Sequence, residues 1–218
     1  MDAHFALEAA PALEVRGLGK SFGQAQILYD IDLQMDPGTL TVLSGENGTG
    51  KSTLLECLAG AQPFDAGVLL LGDRVTSTND RSYWRAVFGI LDDFAWFPDL
   101  TVFDHFRLLA PGLSRAQANN ALARLDAEHL VDRLPMTLSA GQRQRCALTS
   151  ATIRDWAVLL VDEPERHLDR QTMPAVATFF ADLATRGAVL VATHHDALTS
   201  IPGARQHRLA QGRLAVLG

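Results

Sequence analysis

The sequence predicts an α/β fold with a parallel core sheet, an N-terminal antiparallel β subdomain and an inserted helical subdomain. Continuous apolar runs separated by helical stretches are typical of parallel strands that are covered on both faces. Three such runs occur at wide intervals, at residues 40–43, 157–161 and 188–192. Before them, between residues 13 and 35, short β-prone pieces alternate with turn signals. This alternation indicates the antiparallel sheet.

Helix signals account for two further parts of the chain. Between Met173 and Ala184 the apolar residues recur at helical spacing, which predicts a helix with one face on the core sheet. The middle of the chain is rich in helix formers and has two helix starts, Thr101 and Ser114, but no long apolar strand. The predicted divisions are a flexible N-terminal extension (1–12), one domain (13–218), and a helical subdomain inserted in that domain (about 92–153).

Composition and charge narrow the classes of function. With 47% hydrophobic residues, the 218-residue chain can bury the core of one large domain. Its formal net charge of −6 argues against a basic surface of the kind that holds nucleic acid, so no nucleic-acid partner is expected. No apolar stretch reaches the roughly 20 residues of a membrane-spanning helix, and acidic Asp2 and Glu8 stand where a signal peptide carries positive charge. We therefore expect a cytoplasmic protein.

Residues 45–52 read Gly-Glu-Asn-Gly-Thr-Gly-Lys-Ser and match the phosphate-loop pattern, between an apolar strand and a predicted helix. Glycines let the backbone wrap round a polyphosphate, and the start of the next helix adds positive potential. Lys51 places a charge between the outer phosphates, and the Ser52 hydroxyl is suited to Mg²⁺. A glycine-rich turn with an exposed lysine is the alternative. The motif predicts a P-loop NTPase with the ATP-binding residues Gly45, Asn47, Gly48, Gly50, Lys51, Ser52 and Thr53.

Two acids, Asp162 and Glu163, follow the apolar run at residues 157–161. The carboxyl ends of parallel strands line the ligand crevice of an open sheet, so we expect this pair beside the phosphate loop. Asp162 is then placed to hold Mg²⁺, directly or through water. Glu163 is placed to polarise the water that attacks the γ-phosphate. The alternative is a solvated acidic strand end.

Residues 138–142, Leu-Ser-Ala-Gly-Gln, lie between the phosphate loop and Asp162 and open a predicted helix. Ser139 is suited to cap that helix, whose free N–H groups then point at an anion. The segment resembles the signature sequence of ATP-binding cassette (ABC) proteins, and the resemblance extends over the chain from Leu13 onward. It implies that two cassettes pack head to tail, so that the γ-phosphate bound by one is contacted by three residues of the other: Ser139, Gly141 and Gln142.

The same resemblance gives roles to three more residues. Phe22 resembles the aromatic residue that stacks on adenine, with a core position as its alternative. Asp169 ends a segment that resembles the loop crossing the dimer interface (the D-loop), although Arg166 and His167 replace the small residues usual there. His194 follows the third apolar run and resembles the switch histidine that contacts the γ-phosphate and helps to hold the attacking water. A purely structural histidine is the alternative.

One position departs from the ABC pattern. Aligning residues 97–102 with the family's loop rich in proline and aromatic residues places Asp92 where a glutamine is usual. A carboxylate can still ligate Mg²⁺ but cannot donate an amide hydrogen bond. Asp92 is therefore a further candidate metal ligand beside Ser52 and Asp162. Alternatively, Asp92 points away, and the helical lobe is coupled to the nucleotide differently.

The resemblance implies an ATP-hydrolysing nucleotide-binding subunit that powers an ABC transporter. ATP and Mg²⁺ are its expected cofactors. A transmembrane permease on a separate chain and a second cassette are its expected partners, which would place it on the cytoplasmic face of the membrane. The alternative is a soluble ABC ATPase that remodels a protein or nucleic-acid assembly, but the fused cassettes, long coiled coils or basic arms of such relatives are not recognisable in this sequence. A binding module with little hydrolysis is a third hypothesis, and Glu163 and His194 count against it.

Overall fold

The computed structural model describes residues 13–91 and 95–217, which form two β-sheets and the helices around them. The extension expected at residues 1–12 and the candidate ligand Asp92 lie outside the described residues. The strands are β1 (Leu13–Phe22), β2 (Ala25–Met35), β3 (Leu40–Ser44), β4 (Ala66–Leu71), β5 (Arg74–Thr76), β6 (Val87–Ile90), β7 (Val158–Asp162), β8 (Ala188–Ala192), β9 (Arg205–Ala210) and β10 (Arg213–Leu217). One sheet has the order β2-β1-β4-β5, and the other has the order β10-β9-β3-β8-β7-β6.

The α-helices connect these strands and form a separate helical region. None of them, in the part of the chain that the structure describes, has the length and apolar character needed to cross a membrane. They are α1 (Lys51–Ala59), α2 (Arg81–Ala86), α3 (Val102–Leu109), α4 (Arg115–Ala123), α5 (Ala140–Thr149), α6 (Met173–Ala184) and α7 (Asp196–Thr199).

The six-stranded sheet confirms the predicted parallel core. The three apolar runs correspond to β3, β7 and β8, with bounds that differ from the prediction by at most one residue. β8 pairs in parallel with β3 on one side and β7 on the other, so that Val191 faces both Val42 and Val161. All residues of β7 and β8 are buried, which explains why their sequences do not alternate between apolar and polar residues. The carboxyl ends of these strands therefore meet at one edge of the sheet.

The antiparallel sheet confirms the predicted N-terminal β subdomain. β1 pairs with β2 and β4, and β4 pairs with β5, all antiparallel. Its apolar side chains share one core with α1 and with one face of the parallel sheet. The helix α1, which follows the phosphate loop, is therefore fixed between two sheets. Buried members of this core include Leu18, Leu28, Ile31, Leu54, Leu55, Leu160 and Leu190.

The opposite face of the parallel sheet is covered chiefly by α6 and part of α5. The bounds predicted for α6 are confirmed, and its buried side chains include Phe179, which the apolar spacing did not single out, beside Phe180. A third cluster, made by α3, α4 and α5, includes Phe106, Leu122 and Cys146. Its members fall between residues 96 and 153, within the range expected for the helical subdomain. The boundaries of that subdomain stay a prediction.

Candidate nucleotide-binding site

The phosphate loop lies between the end of β3 and the start of α1. Gly48 and Gly50 have φ angles of 79° and 102°, in the left-handed region that L side chains rarely adopt. A Cβ atom on Gly45 would lie 2.4 Å from the Leu209 carbonyl oxygen on the neighbouring β9. The first turn of α1 has no side-chain cap, so its N–H groups face the loop without a side-chain acceptor. The backbone conformation and the close packing therefore both require glycines in the phosphate loop, which leaves its N–H groups accessible to a ligand.

The alternative of an exposed lysine is wrong. Lys51 is only 5% exposed, and its Nζ atom donates to the carbonyl oxygens of Gly45 and Glu46 at 2.8 and 3.0 Å. The ammonium group therefore lies inside the curve of the loop. A positive charge held by two backbone carbonyls at this point suits the recognition of a polyphosphate.

Asp162 ends β7 next to the first turn of α1 and is 7% exposed. Burial raises the pKa of its carboxyl group and Glu163 adds to that, whereas the hydrogen bond from Ser52 and the charge of Lys51 lower it. Its Oδ1 atom has no hydrogen-bond partner among the described residues. An unpaired carboxylate oxygen beside a serine hydroxyl matches the ligand preference of Mg²⁺. The residues present therefore fit this metal.

Glu163 leaves the sheet through an unusual backbone conformation. Its φ angle is 42°, in the left-handed region, where a glutamate costs conformational energy. Its N–H group donates to the Ala192 carbonyl oxygen at 2.9 Å, which ties this position to the end of β8. The carboxylate lies 3.0 Å from the guanidinium group of Arg166. The backbone of Glu163 is thus anchored to the end of β8, and its carboxylate is paired with Arg166 at the edge of the site.

The phosphate loop and Glu163 share one cleft of about 380 Å³, whose lining does not include Gly45 or Asp162. Phe22 lies on its wall, 48% exposed, with the Lys20 Nζ atom 4.9 Å from the ring centroid, so the alternative of a core position for Phe22 is wrong. Of the residues expected at the nucleotide, the cleft is lined by Phe22, Asn47, Gly48, Gly50, Lys51, Ser52, Thr53 and Glu163. We call this the phosphate cleft.

The signature segment opens a second cleft, of about 560 Å³, which we call the signature cleft. Ser139 caps α5 as expected: its Oγ atom accepts from the Gln142 N–H at 3.2 Å, and the Gln142 Oε1 atom accepts from the Ser139 N–H at 2.9 Å. A Cβ on Gly141 would lie 2.6 Å from the His167 carbonyl oxygen, so the D-loop packs directly on the helix start. No described residue lines both clefts.

Asp169 and His194 lie outside the phosphate cleft. Asp169 lines the signature cleft, where it accepts hydrogen bonds from the Thr172 N–H and hydroxyl, both at 2.8 Å. Its Oδ2 atom is 3.6 Å from Arg145. The His194 side chain is 60% exposed, and its Nδ1 atom is 3.5 Å from the Glu165 Oε1 atom. One chain thus brings the phosphate loop and the two acids together but does not bring the signature residues to them.

Two residues of this region were not assigned a role from the sequence. Arg166 lines the phosphate cleft, and Glu165 contacts the turn that carries His194. The available signal was a pair of charged residues, close after Glu163, in a segment that resembles a loop usually made of small residues. The sequence alone does not reveal the role of Glu165, because its partners lie 28 and 29 positions further along the chain.

The fold and the phosphate cleft define a P-loop nucleotide-binding protein. The model of a family described as ABC transporter matches residues 28–166, and the chain belongs to this family. It is 36% identical over 192 residues to the sulfoquinovosyl glycerol transport ATP-binding protein SmoE of Agrobacterium fabrum, covering 85% of this chain and 53% of that protein. It is 34% identical over 215 residues to the Fe(3+) ions import ATP-binding protein FbpC 3 of Rhodococcus jostii, covering 95% of this chain and 62% of that protein. The chain therefore spans between about half and two thirds of these relatives.

Solved structures share the fold. The structure of an ATP-binding subunit of an ABC transporter superposes with a TM-score of 0.82 at 24% identity, over 94% of this chain and 90% of that chain. The dimeric structure of a bacterial ABC transporter cassette gives a TM-score of 0.83 at 22% identity, over 93% of this chain and 96% of that chain. At these identities the likeness concerns the arrangement of the chain.

Proposed function

We propose that this protein is an ATP-hydrolysing nucleotide-binding subunit that powers an ABC transporter through ATP-dependent dimerisation of cassettes. The observation that carries the proposal is that one chain contains two separate sites, each of which is incomplete. The phosphate cleft is lined by the phosphate loop and Glu163, with Asp162 buried beside Ser52, while the signature residues open a separate cleft. A second copy packed head to tail supplies to each phosphate cleft the helix start that it lacks.

ATP binding is assigned to the phosphate cleft. Phe22 offers an exposed ring for adenine, and the loop amides with Lys51 meet the β- and γ-phosphates. The Ser52 hydroxyl and the Asp162 carboxylate would hold Mg²⁺, with Asp92 as a further candidate. When bound, Mg²⁺ neutralises phosphate charge and orients the γ-phosphate. The buried, partly unpaired carboxylate of Asp162 supports this assignment.

Hydrolysis is assigned to Glu163 with His194. The Glu163 carboxylate accepts a hydrogen bond from the attacking water and polarises it, and the His194 ring helps to hold that water against the γ-phosphate. Ser139, Gly141 and Gln142 of the second cassette stabilise the charge on the same phosphate from the opposite side. ADP and phosphate are then released, and the two cassettes separate.

The work of this cycle is assigned to a membrane partner. The names of the relatives describe ATP-binding proteins of transport or import systems. We infer a permease on a separate chain, with this subunit at the cytoplasmic face of the membrane. The exposed rings of Trp84 and Phe97 are candidate anchors for a helix of that permease, because exposed aromatic residues are enriched at protein interfaces.

Phosphate-release assays test the catalytic assignment. Glu163→Gln keeps the volume of the side chain but removes the charge that polarises water, so the ATPase rate falls about 100-fold or more. Lys51→Ala instead weakens nucleotide binding, measured by titration with a fluorescent ATP analogue. Glu14→Gln, which makes the same chemical change on β1, leaves both quantities unchanged. Equal rates for the wild type and Glu163→Gln would remove Glu163 from the mechanism.

A further inference from the structure

Glu165 is a carboxylate that the roles assigned so far do not use. Its side chain is only 9% exposed, and its Oε1 atom accepts from the Thr193 hydroxyl at 2.6 Å and from the His194 N–H at 3.2 Å. The Nδ1 atom of the His194 ring lies 3.5 Å from the same oxygen. A carboxylate removed from water to this degree is costly unless donors face it. The described donors to Glu165 all come from the turn after β8.

The contacts extend through the whole of that turn. The Thr193 hydroxyl, which donates to Glu165, also accepts from the His195 N–H at 3.0 Å, and Thr193 is fully buried. The Nδ1 atom of His195 in turn accepts from the Ala197 N–H and caps α7. One carboxylate oxygen therefore organises residues 193–195 between β8 and α7. The backbone path at His194 follows from these bonds.

The His194 ring lies beside the same carboxylate oxygen. Because the ring is 60% exposed, packing does not fix its orientation, whereas an anionic oxygen near Nδ1 favours a proton on that nitrogen. In the neutral tautomer with Nδ1–H, the Nε2 atom is an acceptor. It is then free to accept a hydrogen bond from a water molecule on the other side of the ring.

We infer that Glu165 is a positioning residue for His194. It orders the 193–195 turn and favours the Nδ1–H tautomer, so that Nε2 can hold the attacking water. This inference rests on the proposed function, in which His194 contacts that water. Glu165 itself does not line the phosphate cleft.

Long-range ¹H–¹⁵N correlation spectra of the histidine rings test the positioning without any hydrolysis. His194→Ala identifies the His194 signals among those of the seven histidines. The wild-type ring is expected in the Nδ1–H form, and the ring in Glu165→Ala populates both tautomers. Glu165→Gln, which keeps the side-chain volume, shows a weaker preference than the wild type and decides the matter if the alanine variant does not fold. Wild-type His194 signals in the Glu165 variants overturn the inference.

Steady-state kinetics test whether Glu165 acts through His194. In Glu165→Gln we expect kcat to fall about tenfold, as for other residues that orient a functional histidine, with the KM for ATP within about twofold of wild type. In the double variant with His194→Ala, no further loss beyond that of His194→Ala is expected. Losses that multiply overturn the inference. A wild-type protein that hydrolyses no ATP instead refutes the proposed function, and the ring spectra still decide whether Glu165 positions His194.

Discussion

At the residue scale, the two acids at the end of β7 occupy contrasting environments. Asp162 is buried beside Ser52, with one carboxylate oxygen lacking a hydrogen-bond partner among the described residues, whereas the Glu163 carboxylate is 22% exposed and paired with Arg166. A buried carboxylate oxygen beside a serine hydroxyl suits a metal ion. A partly exposed carboxylate can reach a water molecule in the cleft. The environments therefore support the separate roles proposed for these neighbours.

A buried histidine away from the site predicts a pH dependence of stability. His207 on β9 is 6% exposed, and its pKa is lowered from its ordinary value of 6.5, mainly by burial and further by the nearby charge of Arg205. The folded state then binds fewer protons than the unfolded state at mildly acidic pH. Stability should be full above pH 6.5 and fall as the pH drops below it, by at most about 1.4 kcal/mol per pH unit for one proton.

Urea unfolding of the wild type and His207→Gln at pH 7.5 and 5.5 checks this prediction. The glutamine variant, which does not titrate, should lose less stability between the two values than the wild type. Equal losses would assign the acid sensitivity to other groups.

The sequence predicts residues of the site where they form a contiguous motif. Lys51 and Ser52 can be identified because eight consecutive residues carry the phosphate loop, and the contacts of Lys51 with Gly45 and Glu46 lie within that segment. Glu165 and Arg166 were missed because their importance depends on where the chain returns in space. No local spacing links Glu165 to Thr193, 28 residues away.

At the element scale, helices α4 and α5 begin with the same chemistry but face different surroundings. Ser114 and Ser139 each take part in a capping box with a glutamine three residues later. Only α5 opens onto the signature cleft. Comparing variants of the two serines therefore distinguishes an effect on helix stability from an effect on function.

Ser114→Ala and Ser139→Ala are each expected to lower the free energy of unfolding by about 1 kcal/mol, because each loses one cap. Only Ser139→Ala should also lower the ATPase rate, by roughly tenfold, since a donor group at a developing charge is lost. Thermal unfolding and phosphate release measured on both variants check this. A similar loss of rate in both would mean that Ser139 acts only as a helix cap.

The elements that the sequence predicts best are those with buried strands or with a local capping signal. The strands β3, β7 and β8 were predicted within one residue because strands covered on both faces have continuous apolar sequences. Helix starts at Thr101 and Ser114 were predicted because capping chemistry is local. The strand β5, three residues long and without a buried member, carries no such signal. This strand forms by pairing with β4, a contact that the sequence of β5 alone does not reveal.

At the scale of the whole molecule, the central claim is that one chain carries two halves of a composite site. The phosphate cleft contains Lys51, Ser52 and Glu163, and the signature cleft contains Ser139 and Asp169. The resemblance of the sequence to ABC proteins implies that the two segments act in different copies, and the structure places them in separate clefts of one chain. Two such chains related by a two-fold axis can complete two sites at once.

Light scattering coupled to size-exclusion chromatography of Glu163→Gln tests this claim most directly. With saturating ATP and Mg²⁺ the protein should elute with twice its mass in the absence of nucleotide, because bound ATP is not consumed and joins the two clefts. Adding Gly141→Asp, which places a side chain and a negative charge at the signature helix, should abolish the doubling while ATP still binds. An ATP-bound Glu163→Gln protein that stays monomeric, or a dimer that survives Gly141→Asp, would contradict the account.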